Sequence, residues 1–140
     1  MAHQASTNGE HDLALLLQCL EPELVAGEFV FCFAATGVLE AFLDLVPLAV
    51  MAEPEGLTLV LLRDIAQEAG FACDVVLRCI TLTVHSSLEA VGLTAAVATA
   101  LADAGISANV IAGYFHDHIF VPTERAEHAL AVLKQLSADA

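Results

Sequence analysis

From Cys79 to Pro122 the chain reads CITLTVHSSLEAVGLTAAVATALADAGISANVIAGYFHDHIFVP, and this run most narrows what it can fold into. Leu77 to Val84 alternates in the manner of a strand, with Arg78, Ile80, Leu82 and Val84 on one face and Leu77, Cys79, Thr81 and Thr83 on the other. The apolar trio Ile80, Leu82 and Val84 should face helices, and the threonines a partly polar sheet surface. A polar loop, His85 to Gly92, follows. Leu93, Val97, Ala100, Leu101 and Ala104 then form one helical stripe, and Gly105 ends it. Strands near 108–113 and 117–122 flank a turn at Gly113-Tyr114-Phe115-His116. Thr123 is placed to cap a last helix, 124–137, burying Ala126, Ala129, Leu130, Leu133 and Leu136. The order is βαββα, an α+β pattern.

The first half is less regular. Residues 1–11 are polar and read as a flexible tail. Asp12 is placed to cap a short helix, LALLLQCL. Glu28 to Ala34 reads as a buried strand, Val38 to Leu45 as one or two helical turns, and Pro47 to Ala52 as a further strand. Glu53-Pro54-Glu55-Gly56 is turn chemistry ahead of a strand at 57–62. Asp64 with Gln67 suggests a capping box for a helix stopped at Gly70.

Charge excludes some partners. Eighteen acidic residues against four basic ones (Arg63, Arg78, Arg125, Lys134) leave a net charge of −14. Such a surface repels phosphate backbones and anionic membranes, so neither nucleic acid nor membrane is an expected partner. The charge keeps a chain that is 58% apolar in solution. The N-terminus lacks a basic segment followed by an apolar one, so no signal peptide is expected and a cytoplasmic location is the default. Cysteines 19, 32, 73 and 79 form no CxxC pair and mostly lie in apolar runs, as buried reduced thiols would.

Two places could carry chemistry. The loop 85–92 enters a helix, where free N–H groups and the helix dipole suit a carboxylate, with Ser86 and Ser87 adding hydroxyls. The plain reading is that a serine caps the helix and Gly92 permits a tight turn. The second place is His116-Asp117-His118. As strand residues the histidines share one face and Asp117 takes the other, among the apolar Ile119 and Val121. A carboxylate there needs a partner, which could be Arg63, Arg78, Arg125 or the cationic group of a ligand. His85, His116 and His118 could in principle hold zinc, but no fourth strong ligand and no HExxH accompanies them. No P-loop, GxSxG or GxGxxG is present.

The strand, loop, Gly92-Leu93 helix entry, Ala104-Gly105-Ile106 exit and Asn109-Val110-Ile111 segment resemble an ACT domain, the ligand-sensing module of many enzymes of amino-acid metabolism. The run from Ile106 through Asp117-His118 to Val121-Pro122 resembles tandem-ACT proteins of bacteria, the ACT units of aspartate kinases and an animal cytosolic arginine sensor. The resemblance implies two intertwined ferredoxin-like βαββαβ units: a C-terminal ACT domain over 77–140 and a degraded N-terminal one over 12–76. Residues 77–137 are one strand short of that pattern, so the N-terminal half is expected to cover the open edge. It further implies a non-catalytic regulatory module that binds a small molecule, an amino acid, without a cofactor. The implied ligand residues are Ser86, Ser87, Gly92, Leu93, Val110 and Asp117. A homodimer, and an enzyme regulated by it, are the implied partners. The alternatives are an interaction subunit with an empty pocket and a small metal-dependent hydrolase using His85, His116 and His118.

Overall fold

The computed structural model describes residues 10–35 and 37–140. Two compact units divide the chain: residues 10–25 join 79–140 in the first, and residues 26–78 form the second. The elements are α1 (Leu13–Gln18), β1 (Pro22–Leu24), β2 (Phe29–Ala34), a 3-10 helix (Leu39–Leu45), β3 (Ala49–Glu53), β4 (Gly56–Leu62) and α2 (Arg63–Glu68). They continue with β5 (Leu77–Leu82), α3 (Leu93–Asp103), β6 (Asn109–Ala112), β7 (Asp117–Pro122), a 3-10 turn (Thr123–Arg125) and α4 (Ala126–Ala138).

In the first unit the strand order is β1–β5–β7–β6. The edge left open by βαββα is covered by β1, which pairs antiparallel with β5 as Pro22↔Leu82, Glu23↔Thr81 and Leu24↔Ile80. Pro22, with no N–H to give a ladder, stands at the first position of this edge strand, where its cost is least. The core lies on the helix side. Ile80 and Leu82 of β5 and Ile119 and Val121 of β7 meet Leu93, Val97 and Leu101 of α3 and Ala129 and Leu133 of α4. Leu16 of α1 and Leu20 complete it, both fully buried. Asp12 caps α1, its Oδ1 accepting from the Leu15 N–H at 3.2 Å.

α3 buries Leu93, Val97 and Leu101, and the helix ends as its sequence says. Gly105 has φ +70°. Its N–H donates to the Ala102 carbonyl, and the Ile106 N–H to the Leu101 carbonyl, both at 2.9 Å, while buried Ile106 joins the same core. Arg125 adds a charge there, its Nη2 donating to the Ala104 carbonyl at 3.0 Å.

The second unit carries the strand order β3–β4–β2. β2 and β4 pair antiparallel with Val30↔Leu61 and Cys32↔Leu59. These four residues and Ala66 of α2 make its core, with Phe42, Leu45, Phe71, Cys73 and Val76 packed against them. Phe42 and Leu45 are three residues apart, the repeat of the 3-10 helix that carries them. Glu28 and Arg63 form an ion pair at 3.2 Å.

Several expectations are corrected. Asp64 does not cap α2: β4 runs straight into the helix, Leu62 holds the cap position without a side-chain bond, and Asp64 lies in the first turn. Thr123 does not open α4. It belongs to the 3-10 turn, and α4 starts at Ala126 behind Arg125. β5 stops at Leu82, two residues early, and Thr83 gives its N–H (3.3 Å) and hydroxyl (2.9 Å) to the Glu21 carbonyl. Cys19 is exposed at the end of α1, whereas Cys32 and Cys79 are buried thiols. The expected flexible tail falls on residues 1–9, which lie outside the described residues, and on Glu10 and His11. Of these two, Glu10 forms a parallel bridge with Ser86.

Because Leu16 is a fully buried core residue contributed by the N-terminal segment, Leu16→Ala should cost about 2–5 kcal/mol in urea unfolding. A loss below about 0.5 kcal/mol, typical of surface positions, would mean that this segment is not part of the first unit's core.

Candidate functional site

The site builds up where the loop after β5 meets the turn before β7, inside the first unit. Glu10 holds the loop from one side: its N–H donates to the His85 carbonyl at 3.0 Å, and its carbonyl accepts from the Ser87 N–H at 3.1 Å. The turn is closed by the Gly113 N–H donating to the His116 carbonyl at 2.8 Å. Loop and turn then touch. His116 Nδ1 donates to the Val84 carbonyl at 3.3 Å; a carbonyl only accepts, so Nδ1 carries the proton. The rings of His85 and Phe115 lie with centroids 5.1 Å apart.

Asp117 opens β7 with Ile119 and Val121 beyond it in the core, as the strand alternation required. It is half-buried, and burial pushes its carboxyl above the usual aspartate value; His118, a hydrogen bond from Ser86 and His116 pull it part of the way back. No arginine is among the groups acting on its charge, and Arg125 is engaged at the end of α3. His118 points to the other sheet face, its Nδ1 2.9 Å from the Thr81 hydroxyl. Burial, then His116, holds its imidazole below the ordinary value, with Asp117 opposing.

Of the six residues expected in a ligand site, the fold brings Ser86 and Asp117 into contact. Ser87 serves the loop, its Oγ accepting from the Glu89 N–H at 3.1 Å. Gly92 opens α3 at φ +100° with no side-chain cap on the first turn. A Cβ there would also stand 3.0 Å from Leu13 Cδ2, so α1 packs against this glycine and the fold itself requires it. The Leu93 side chain is in the core. Val110, paired with Ile119, packs against the same core from β6. Thr81 and Glu10 were not singled out in the sequence. Thr81 lay on the polar face of β5, which was the available signal, whereas nothing local marks Glu10 as the loop's clamp. His85, His116 and His118 do not form a metal site: among the described residues no group of three His, Cys, Asp or Glu side chains could hold an ion. Nor is any helix among them long and apolar enough to cross a membrane.

Two α+β units of ferredoxin-like type, with helices over antiparallel sheets, define the class. The ACT-domain family matches the chain twice, over residues 8–78 and 74–135. The chain belongs to the ACT-domain family. A Vibrio cholerae protein of unknown function, described as a possible transport protein, is 58% identical, with TM-score 0.82 over 89% of this chain and 95% of its own. A protein from Agrobacterium tumefaciens, 17% identical, has TM-score 0.63 over 83% of this chain and 87% of its own. The regulatory subunit of aspartate kinase from Thermus flavus, 14% identical, has TM-score 0.60 over 82% of this chain and 95% of its own. The last two share the fold. No protein of curated function matches the chain.

The carboxyl of Asp117 has a consequence for stability. Its folded pKa is raised, so ionising it costs more in the folded state than in the unfolded one. Stability should therefore fall as pH rises through the aspartate range toward the raised value. Asp117→Asn should match the parent in acid and exceed it at neutral pH, as measured by unfolding at a series of pH values. For His118 the sign is opposite: with a lowered pKa, stability is lost as pH falls through the ordinary histidine value. An Asp117→Asn chain less stable than the parent at neutral pH would show that the carboxylate serves the fold.

Proposed function

We propose that the chain is a non-catalytic regulatory module that binds a small zwitterion, an amino acid, and acts as a homodimer upon a partner enzyme. The observation that carries this reading is the half-buried Asp117, joined to Ser86 on the loop into α3, with His118 and His116 acting on its charge. ACT domains are typically regulatory ligand-binding modules. In the reading proposed, the uncapped first turn of α3, with the Leu93 N–H, takes the ligand carboxylate. Ser86 and Ser87 donate hydroxyls to it, Val110 lines the wall, and Asp117 takes the cationic group. An amine brought to Asp117 would replace lost hydration with a charge partner and draw its pKa back down. The location proposed is the cytoplasm.

One observation favours the alternative of an interaction subunit with an unused pocket. Leu13 stands against Gly92, so α1 fills space beside the helix entry that a ligand backbone would need. For the same reason Gly92→Val tests folding and binding together, and Asp117 and Ser86 are the cleaner positions.

Thermal unfolding with each of the twenty amino acids separates the readings. A ligand at a hundredfold over its dissociation constant should add about 2.7 kcal/mol. Asp117→Asn should then weaken that ligand roughly ten- to hundredfold in calorimetry, the loss of one charge-assisted contact. No stabilisation by any amino acid would favour the unused pocket. Binding untouched by both Asp117→Asn and Ser86→Ala would move the site elsewhere.

A further inference from the structure

The second unit brings two thiols to one core. β2 and β5 pair antiparallel at Phe29↔Leu77. Beyond that pair, residues 71–76, between α2 and β5, run back along β2 without forming a strand. Carried on, the same register would set Asp74 beside Cys32 and Cys73 beside Phe33, so the two cysteines are diagonal neighbours. Strand and loop part around a cavity of about 410 Å³, with Phe31, Cys32 and Phe33 on one side and Ala72, Asp74 and Val75 on the other.

Packing turns the two side chains the same way. Cys32, 3% exposed, belongs to the core made with Val30, Leu59, Leu61 and Ala66, and Cys73 packs against that core from the loop. The Cys73 thiol donates to the Phe71 carbonyl at 3.5 Å, and the Phe71 ring packs on the same core. Burial, then the neighbouring Cys73, pushes the Cys32 thiol above its ordinary value. Cys19 and Cys79 belong to the first unit.

We propose that Cys32 and Cys73 are a reversible disulfide site, at which a small-molecule disulfide such as oxidised glutathione joins loop 71–76 to β2. Cys73 is partly exposed and reacts first. Its thiolate attacks one sulfur of oxidised glutathione, forming a mixed disulfide and releasing one glutathione thiolate. The Cys32 thiolate then attacks the Cys73 sulfur, forming the Cys32–Cys73 bond and releasing the second glutathione thiolate. The two thiol protons end on the two glutathione molecules, which take up the two electrons the protein loses. Lying outside helix and strand, the loop can make the small shift that disulfide geometry demands. In the reducing cytoplasm proposed above, the bond forms only when the glutathione pool is oxidised, which makes it a sensor and not a permanent staple. The site lies wholly in the second unit and does not depend on the ligand reading.

Glutathione redox buffers test this on the full chain carrying Cys19→Ser, which removes the exposed thiol that could join two copies. Oxidised while folded, then quenched, unfolded and alkylated, the chain should keep one free thiol, Cys79, and yield a peptide joining Cys32 to Cys73. Dithiothreitol should restore all three thiols. With Cys73→Ser added, circular dichroism should be unchanged and Cys32 should stay open to alkylation in the same buffer. The equilibrium constant with glutathione should favour the disulfide at least about tenfold more in the folded chain than in urea, because the fold holds the thiols close. Cys32 and Cys73 both left free, a mixed disulfide that stops at Cys73, or a bond to Cys79 in place of theirs would overturn the site. A bond no more favourable in the folded chain than in urea overturns it too, since the fold would then contribute nothing to it.

Discussion

The ladder between β1 and β5 is the contact on which the first unit depends, because three consecutive pairings there close a sheet that residues 79–140 cannot close alone. Its consequences run back along the chain. Toward the N-terminus, the same segment carries α1, whose Leu16 and the following Leu20 fill the core beneath α3 and α4. Further back, Glu10 clamps the loop at His85 and Ser87, so the candidate site is shaped by residues about 75 positions away in sequence. Sheet closure, core and site loop are thus one cooperative construction. Its cost is the entropy of bringing distant segments together, which rises only slowly with loop length.

Asp117 stands apart from this economy. Most polar groups near the sheet serve the fold: Thr83 holds Glu21, Arg125 closes the end of α3, and Asp12 caps α1. Asp117 instead keeps a carboxyl where burial disfavours its charge, with a serine and two histidines for company. A group held at some expense to the fold is where function is to be sought.

The sequence was most legible where one periodicity ran long enough to have a single reading. A strand over most of 77–84, the stripe Leu93, Val97 and Leu101, and the stop at Gly105 reappear in the structure. The missing fourth strand was legible too, as an open edge that residues 77–137 could not cover, although which three residues would cover it was not. Caps were read less well. At both Asp64 and Thr123 the chain passes from strand into helical turn with little or no loop, so the residue with capping chemistry lands inside the turn. At the site, the contact of Ser86 with Asp117 joins two positions that the ACT resemblance had put in one pocket. The clamp by Glu10 and the pairing of Thr81 with His118 depend on long-range contacts that no local pattern encodes.

The central claim is that an amino acid binds where the loop into α3 meets the start of β7. Titrating amino acids into isotopically labelled protein, and following every backbone amide by nuclear magnetic resonance, tests it most directly. The account predicts that one amino acid shifts the amides of Ser86, Ser87, Leu93 and Asp117 together, in a saturable way, while the core of the second unit around Leu59 and Leu61 stays still. Saturable shifts confined to other residues, or none with any of the twenty, would contradict it.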